Sequence, residues 1–250
     1  MVANGFRMYL YNNRIVITGG SGRFAQEVKK VNINYRLYFP KKKELDILNT
    51  KLIRKYLKLV KPKYLVHLAG LSRPMSMHDR FISKSIDLNI IGTSNITKVC
   101  SELNIKLIYF STSYVYPGLK GNYKENDPLL PKNNYAWSKL GGECAVHMYK
   151  NSLILRVSMT EKPFVHKKAF TDFFTNFIFH EYIAKYLFKL INRKGIINVG
   201  GKTQSVYKFV KKYQPNVKKI LAKKIFGKKH PLNPSMNINK LIKILKNNLN

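Results

Sequence analysis

The chain has 250 residues, enough for one large domain or for one domain with a small appendage, and its hydrophobic fraction of 45% is ordinary for a globular core. No segment reaches the length of a membrane span, and residues 1–13 lack the apolar core of a signal peptide. We therefore expect a soluble cytoplasmic protein without a membrane partner. Cys100 and Cys144 match no metal spacing or redox pair, and both fall in helical patterns that predict buried side chains.

The formal net charge of +34 has two interpretations. One is a basic surface that binds nucleic acid or an anionic membrane. The other is biased codon usage, which we favour because lysines are scattered over every segment and no arginine-rich arm or nucleic-acid motif stands apart. We expect nucleic acid to bind only non-specifically, at low salt.

Short β-branched runs alternate with helical patterns over the first two thirds of the chain. The predicted strands are residues 14–18, 35–39, 64–68, 105–110 and 152–157. The predicted helices between them are residues 24–31, 50–59, 82–103 and 135–149, the second capped by Asn49. An aromatic, irregular stretch (164–179) then precedes helices at 180–192, 205–213 and 237–249 and a short strand at 196–199.

This alternation predicts parallel βαβ units and hence an α/β fold, a doubly wound parallel sheet of the Rossmann type. We expect residues 1–157 to form the domain that contains this sheet, and residues 158–250 to form a smaller region intertwined with it. Ligands of such sheets bind beyond the carboxyl ends of the strands. Gly19, Ala69 and Thr112 follow predicted strand ends, so they should meet at one edge.

The first strand is followed by a glycine-rich turn, in which Gly19, Gly22 and Ala25 recur at intervals of three. Glycines between a strand and a helix permit a tight turn, and they let backbone N–H groups approach a pyrophosphate. An ordinary βα turn would look similar. Because this turn follows the first strand of an alternating chain, we favour dinucleotide binding.

The end of the second predicted strand bears on the choice of cofactor. An acidic residue there would bind the ribose 2′-hydroxyl of NAD(H). Residues 35–43 contain none, and Lys41, Lys42 and Lys43 could accept the 2′-phosphate of NADP(H). The cofactor is therefore expected to be NADP(H) or NAD(H), with NADP(H) at least tolerated.

A tyrosine and a lysine four residues apart occur in four places, so the spacing alone is a weak signal. Only Tyr135 and Lys139 begin a predicted helix and follow a hydroxyl cluster, Ser111 to Ser113, at a strand end. On a helix the two side chains lie one turn apart on one face. An ammonium about 4 Å from a phenol would lower the phenol pKa by about 3, so that Tyr135 could exchange a proton near neutrality. Thr112 would hydrogen-bond the reacting oxygen.

Ordered motifs over nearly the whole chain make it resemble an extended short-chain dehydrogenase/reductase of the nucleotide-sugar group, most like the dTDP-4-dehydrorhamnose reductases. The motifs that carry the resemblance are residues 18–25, 44–47, 67–70, 89–93, 108–116 and 134–143, with weaker matches at 155–158, 177–184, 198–201 and 235–241.

The resemblance implies an NAD(P)H-dependent reductase of a 4-keto nucleotide sugar, acting in deoxysugar or polysaccharide precursor synthesis. Residues 1–157 would then be the NAD(P)-binding domain with the catalytic Tyr/Lys pair, and residues 158–250 the small, reduced substrate-binding region. Tyr135 would be the proton donor, Lys139 its electrostatic partner and Thr112 the active-site hydroxyl. The implied cofactor-binding residues are Gly19, Ser21, Gly22, Arg23, Phe24, Asp46, Ile47, Leu68, Ala69, Gly70, Asn89, Ser111, Tyr135 and Lys139. For Asp46 and Asn89, a helix cap and a solvated polar face are the alternatives.

The chain departs from the family pattern in its substrate half. Ser113 stands where an acidic residue is common, and the segment after Val157 is short and aromatic. Arg73, Ser113 and Tyr114 are candidate substrate-binding residues. An epimerase or dehydratase that retains its NAD⁺ is the alternative within the fold, and a non-catalytic binding protein with a basic surface is the alternative from another class. A homodimer is left open.

Overall fold

The computed structural model describes residues 13–227 and 230–247. The expectations for residues 1–12, and for the end of the last predicted helix, lie outside this range. The strands, in chain order, are β1 (Arg14–Thr18), β2 (Arg36–Tyr38), β3 (Tyr64–His67), β4 (Lys106–Thr112), β5 (Ser152–Val157), β6 (Met159–Thr160), β7 (Lys168–Phe170), β8 (Phe174–Thr175), β9 (Ile178–Phe179), β10 (Gly195–Val199), β11 (Gln204–Ser205) and β12 (Lys218–Ile220).

The helices alternate with the long strands. They are α1 (Arg23–Lys29), α2 (Thr50–Val60), α3 (Met77–Arg80), α4 (Ile82–Ile86), α5 (Gly92–Glu102), α6 (Asn134–His147), α7 (His180–Leu190), α8 (Val206–Lys211), α9 (Ala222–Phe226) and α10 (Asn239–Lys246), with a π-helical turn at Asp87–Ile91. No helix in the described ranges is long and apolar enough to cross a membrane.

One six-stranded sheet, ordered β10-β5-β4-β3-β1-β2, organises the fold. Its pairs β1/β2, β1/β3 and β3/β4 are parallel and in register, with Ile15 opposite Tyr64 and Tyr64 opposite Lys106. The α/β parallel-sheet prediction is confirmed. Because neighbouring parallel strands end at the same edge, the residues after β1 and β3 come together there.

The chain divides into two compact units. Of the described residues, the first contains 13–111, 133–154 and 191–195, and the second contains 112–132, 155–190, 196–227 and 230–247. The predicted division at residue 157 is a different one and stays a prediction.

The core of the first unit lies in its strands. All five residues of β1 except Arg14 are buried, as are all four residues of β3. The short helix α2 is capped as predicted, because the side chain of Asn49 accepts a hydrogen bond from the backbone N–H of Leu52 at 3.1 Å.

The single helix predicted over residues 82–103 is wrong in detail. The segment is helical throughout, but the wide turn at Asp87–Ile91 separates α4 from α5. A π-helical turn adds one residue to a helix and often marks a functional position. Cys144 is a second correction: it is exposed, while Cys100 is buried as expected.

The second unit has an aromatic core and a buried polar network. Its apolar cluster includes Phe173, Phe179 and Phe209. In the polar network, Arg156 donates to the Tyr116 hydroxyl at 2.7 Å, and that hydroxyl donates to Asn198 at 2.9 Å. Tyr116 is therefore a core residue, and its spacing of four residues from Lys120 is a coincidence.

Candidate active site

The glycine turn between β1 and α1 leaves no room for side chains. Gly19 has φ +70°, and a Cβ atom there would lie 2.7 Å from the backbone nitrogen of Ala69. The N–H of Gly22 donates to the Gly19 carbonyl at 2.9 Å, which closes the turn. The backbones after β1 and β3 thus approach as closely as glycine permits, and the tight turn leads directly into α1.

The side chains near this turn differ in exposure. Ser21 and Arg23 are exposed, while Phe24 is 7% exposed and its ring centre lies 4.9 Å from that of Phe110. Phe24 is thus a core side chain, and it reaches a ligand only through its backbone. This placement keeps α1 against the sheet.

The ends of β1 and β3 are tied together by a buried hydrogen-bond chain. The Thr18 hydroxyl oxygen accepts the N–H groups of Leu68 and Ala69, each at 3.1 Å, so its own proton points to His67 Nδ1 at 2.8 Å. His67 Nε2–H then donates to Thr93 at 3.1 Å. Burial, and secondarily the charge of Lys139, lower the pKa of His67 to about 3. The imidazole is therefore neutral.

Asn89 lies in the π-helical turn and holds the loop after β3. Its side-chain oxygen accepts the Leu71 N–H at 2.7 Å, and its amide nitrogen donates to the Leu71 carbonyl at 2.9 Å and to the Ser138 hydroxyl at 2.8 Å. A Cβ at Gly70 would lie 2.7 Å from this side chain. Asn89 is 1% exposed and links the loop to α6, which rules out the solvated polar face.

Tyr135 and Lys139 lie one turn apart on α6. The helix starts where predicted, because the Asn133 side chain accepts the Ala136 N–H at 2.8 Å. The Tyr135 ring makes an edge contact with His78 at 5.1 Å between ring centres. This places the phenol next to α3 in the first unit.

Lys139 is fixed at both its backbone and its side chain by Tyr109. Its Nζ lies 4.2 Å from the centre of the Tyr109 ring, and the Tyr109 hydroxyl donates to the Lys139 carbonyl at 3.0 Å. Burial lowers the pKa of Lys139 to about 7, an effect that the Glu143 carboxylate opposes. Lys139 therefore titrates near neutrality.

Glu143 is a site residue that the sequence reasoning did not assign. It is 3% exposed on α6, one turn beyond Lys139, and its carboxylate accepts a 2.5 Å hydrogen bond from the Ser111 hydroxyl on β4. The sequence did hold a signal for this residue, because an acid stands one helical turn after the Tyr/Lys pair. The buried carboxylate places a negative charge beside the ammonium of Lys139.

Asp46 and Ile47 adopt local roles in the structure. The Asp46 carboxylate accepts the Leu48 N–H at 3.0 Å and lies 3.6 Å from the Lys42 ammonium. Ile47 is 6% exposed, and its carbonyl accepts a hydrogen bond from Asn95 at 3.0 Å. Asp46 thus caps a turn just before α2, whose own N-cap is Asn49, and its contact with the adenine stays a prediction.

The remaining predicted site residues, the active-site hydroxyl and the candidate substrate-binding residues, lie on other elements of the fold. Thr112 ends β4 in the second unit, and its hydroxyl accepts the Tyr114 N–H at 3.3 Å. Ser113 is buried and Tyr114 is partly buried, packed against the aromatic cluster of that unit. Arg73, in the first unit, is exposed.

Sequence comparison finds relatives that share part of the chain. A model of the RmlD substrate binding domain matches residues 13–177. The methionine adenosyltransferase 2 subunit beta of Pongo abelii is 29% identical over 144 residues, which cover 54% of this chain and 43% of the relative. The spore coat polysaccharide biosynthesis protein SpsK of Bacillus subtilis is 27% identical over 150 residues, covering 58% and 52%. The chain thus spans about half the length of these curated relatives.

Solved structures share the fold over almost the whole chain. The dTDP-4-dehydrorhamnose reductase of Bacillus anthracis, in complex with NADP, superposes with a TM-score of 0.81 at 22% identity, covering 93% of this chain and 91% of that one. A hypothetical dTDP-4-dehydrorhamnose reductase from Sulfolobus tokodaii gives 0.80 at 23% identity, covering 92% and 94%. The predicted resemblance is confirmed: the chain belongs to the RmlD substrate binding domain family.

Proposed function

We propose that the protein is an NADP(H)- or NAD(H)-dependent reductase of a 4-keto nucleotide sugar. The observation that carries the proposal is the position of Lys139, whose ammonium lies 4.2 Å from the centre of the Tyr109 ring, one helical turn from Tyr135 and one from Glu143. Family membership, and the reductase from Bacillus anthracis with its NADP, support it.

The residues around the glycine turn fit a nicotinamide dinucleotide. The tight turn from Gly19 to Gly22 before α1, and the exposed Ser21 and Arg23, suit a pyrophosphate. Leu68, Ala69 and Gly70 would line the ribose side, and Asn89 would hold that loop in place. When bound, the reduced dinucleotide supplies the hydride.

The proton would come from the protein. Tyr135 would donate its phenolic proton to the substrate oxygen, and the cationic form of Lys139 would stabilise the phenolate that remains. Glu143 would favour that cationic form, and Ser111 would hold the Glu143 carboxylate through their 2.5 Å hydrogen bond. Thr112 would hydrogen-bond the substrate oxygen. Arg73, Ser113 and Tyr114 stay candidates for binding the sugar nucleotide.

The test is consumption of NADPH or NADH with a panel of nucleotide-linked 4-keto sugars. Tyr135→Phe should lower kcat by roughly 10²- to 10⁴-fold, because it removes one general acid, while the cofactor still binds through the other residues of its site. Full activity in that variant would refute the role of Tyr135. Bound NAD⁺ without net cofactor consumption would indicate the epimerase or dehydratase instead.

A second candidate is a non-catalytic subunit of another enzyme. Seven relatives between 28% and 30% identical carry the name methionine adenosyltransferase 2 subunit beta. Stable co-elution of this protein with methionine adenosyltransferase 2, without turnover of any keto sugar, would favour that candidate. The cytoplasmic location, the homodimer and the division at residue 157 remain predictions.

A further inference from the structure

Glu181 is the last acidic residue in the sequence. Residues 182–250 hold 17 of the 46 Lys and Arg residues and none of the 12 acidic ones, so half of the net charge lies in little more than a quarter of the chain. Codon bias explains lysine abundance, but it does not by itself explain the loss of every acid from one segment.

The structure places many of these lysines on neighbouring elements of the second unit. Seven exposed lysines belong to or adjoin α8, β12 and α9, and we name this part of the protein the lysine surface: Lys208, Lys211, Lys212, Lys218, Lys219, Lys223 and Lys224. In residues 13–227 and 230–247, no carboxylate lies within ion-pair distance of any of them. The surface is therefore a concentrated, unneutralised positive charge.

One acid does lie beside the lysine surface, but its carboxylate is used internally. Asp172 accepts the backbone N–H of Ala222 at 2.6 Å and that of Lys223 at 3.2 Å, at the start of α9. The ammonium groups of Lys211 and Lys219 both approach the Tyr207 ring, at 5.8 and 5.4 Å from its centre. Two lysines from different elements therefore share one aromatic ring at this surface.

Two large apolar side chains follow directly after these lysines. Ile225 is 58% exposed and Phe226 is 48% exposed, at the end of α9. Phe226 is oriented by Phe170 and His230, whose ring centres lie 5.5 and 4.6 Å from its own. An aliphatic and an aromatic side chain beside a row of lysines combine the two contributions that hold proteins on anionic bilayers.

We propose that the lysine surface, together with Ile225 and Phe226, binds the surface of an anionic phospholipid bilayer. The lysines would lie at the headgroups, and the two apolar side chains would enter the headgroup boundary. Ile225 favours a bilayer over nucleic acid, because an aliphatic side chain gives a base no ring to stack on, whereas Phe226 is compatible with either partner. This revises the expectation that the protein has no membrane partner: it would lie on a membrane without crossing it.

The experiment is co-sedimentation of the full chain with vesicles, either of phosphatidylcholine alone or with about 30% phosphatidylserine. The test variant is Lys219→Gln/Lys223→Gln/Lys224→Gln. The matched control is Lys51→Gln/Lys55→Gln/Lys58→Gln, which removes the same charge from exposed positions of α2 in the first unit. Only anionic vesicles should bind, and the test variant should lose at least about tenfold in partitioning while the control changes less than about twofold.

A second pair of variants examines the apolar contribution. Ile225→Ser should weaken binding severalfold, whereas Leu59→Ser, at an exposed leucine of α2, should not. Circular dichroism shows whether each variant is folded. Equal losses in test and control variants, equal binding to neutral vesicles, or tighter binding to a thymidine 20-mer than to anionic vesicles would each overturn the proposal.

Discussion

Replacing Glu143 by glutamine should lower the pH above which the activity declines. The substitution removes one buried negative charge and keeps an oxygen that can accept the Ser111 hydroxyl. Glu143 opposes the effect of burial on Lys139, so its removal must lower the pKa of the ammonium below about 7.

The size of this change follows from the spacing on α6. Side chains four residues apart lie about 6 Å from each other, and at an effective dielectric constant near 20 the two charges interact by about 2.8 kcal/mol. This corresponds to a pKa for Lys139 that is lower by about 2. At pH 6, the charged fraction of Lys139 would fall about tenfold.

The assay is kcat/KM for NADPH oxidation from pH 4.5 to 9, which reports on groups of the free enzyme. The decline of kcat/KM with rising pH should move to lower pH by about 2 in Glu143→Gln. Glu27→Gln, which removes a partly exposed carboxylate paired with Lys30, serves as the control and should leave the profile in place.

An NMR titration of ¹³C-labelled lysine, with Lys139→Met to identify the signal, measures the same pKa without turnover. A Lys139 signal that titrates identically in wild type and in Glu143→Gln would refute the electrostatic role. A changed titration with an unchanged rate profile would instead remove Lys139 from the proposed mechanism.

Three further predictions concern single residues. Lys106→Met should stabilise the protein near pH 7 by on the order of 2 kcal/mol, since Lys106 Nζ is buried without a hydrogen-bond partner among the described residues and its pKa is lowered to about 8. The wild type should gain stability as pH rises from about 8 to 10.5, measured by urea unfolding, and the variant should not. His67 should show the ¹⁵N signals of a neutral imidazole down to pH 4, and its lowered pKa should cost stability as pH falls below 6.5. Gly19→Ala should lower the unfolding midpoint and weaken NADPH binding, because the added carbon meets the Ala69 backbone.

Each has an outcome that contradicts it. A Lys106→Met variant less stable than wild type at pH 7 would mean that the ammonium has a partner in solution. A His67 that is protonated at pH 5 would contradict the neutral imidazole on which the hydrogen-bond chain from Thr18 to Thr93 depends. Unchanged NADPH affinity in a folded Gly19→Ala variant would remove the glycine turn from the cofactor site.

The parts of the fold that local patterns determine were predictable. The run Arg14–Thr18 ends at glycines because the chain must turn there, and Asn49 caps α2 through its own neighbours. Such features depend on residues within a few positions of each other.

The parts that depend on distant contacts were not predictable. Glu143 meets Ser111, 32 residues earlier, and Asn89 meets Ser138, 49 residues later. Lys106 is buried within β4, where a charged side chain is unexpected. The expectation that Cys144 is buried was wrong: its position on α6 faces solvent, which depends on how the helix packs in the fold.

Because of the wide turn at Asp87–Ile91, the number of residues in the helical segment 82–102 matters as much as their identity. One residue added to a helix rotates everything before it by about 100° relative to everything after it. Deleting a single residue there would swing Ile82 and Ile86 to another side and move Asn89 away from Leu71, even if every other side chain were kept. Helix phase, set by a residue count, is thus part of what keeps the loop after β3 in place.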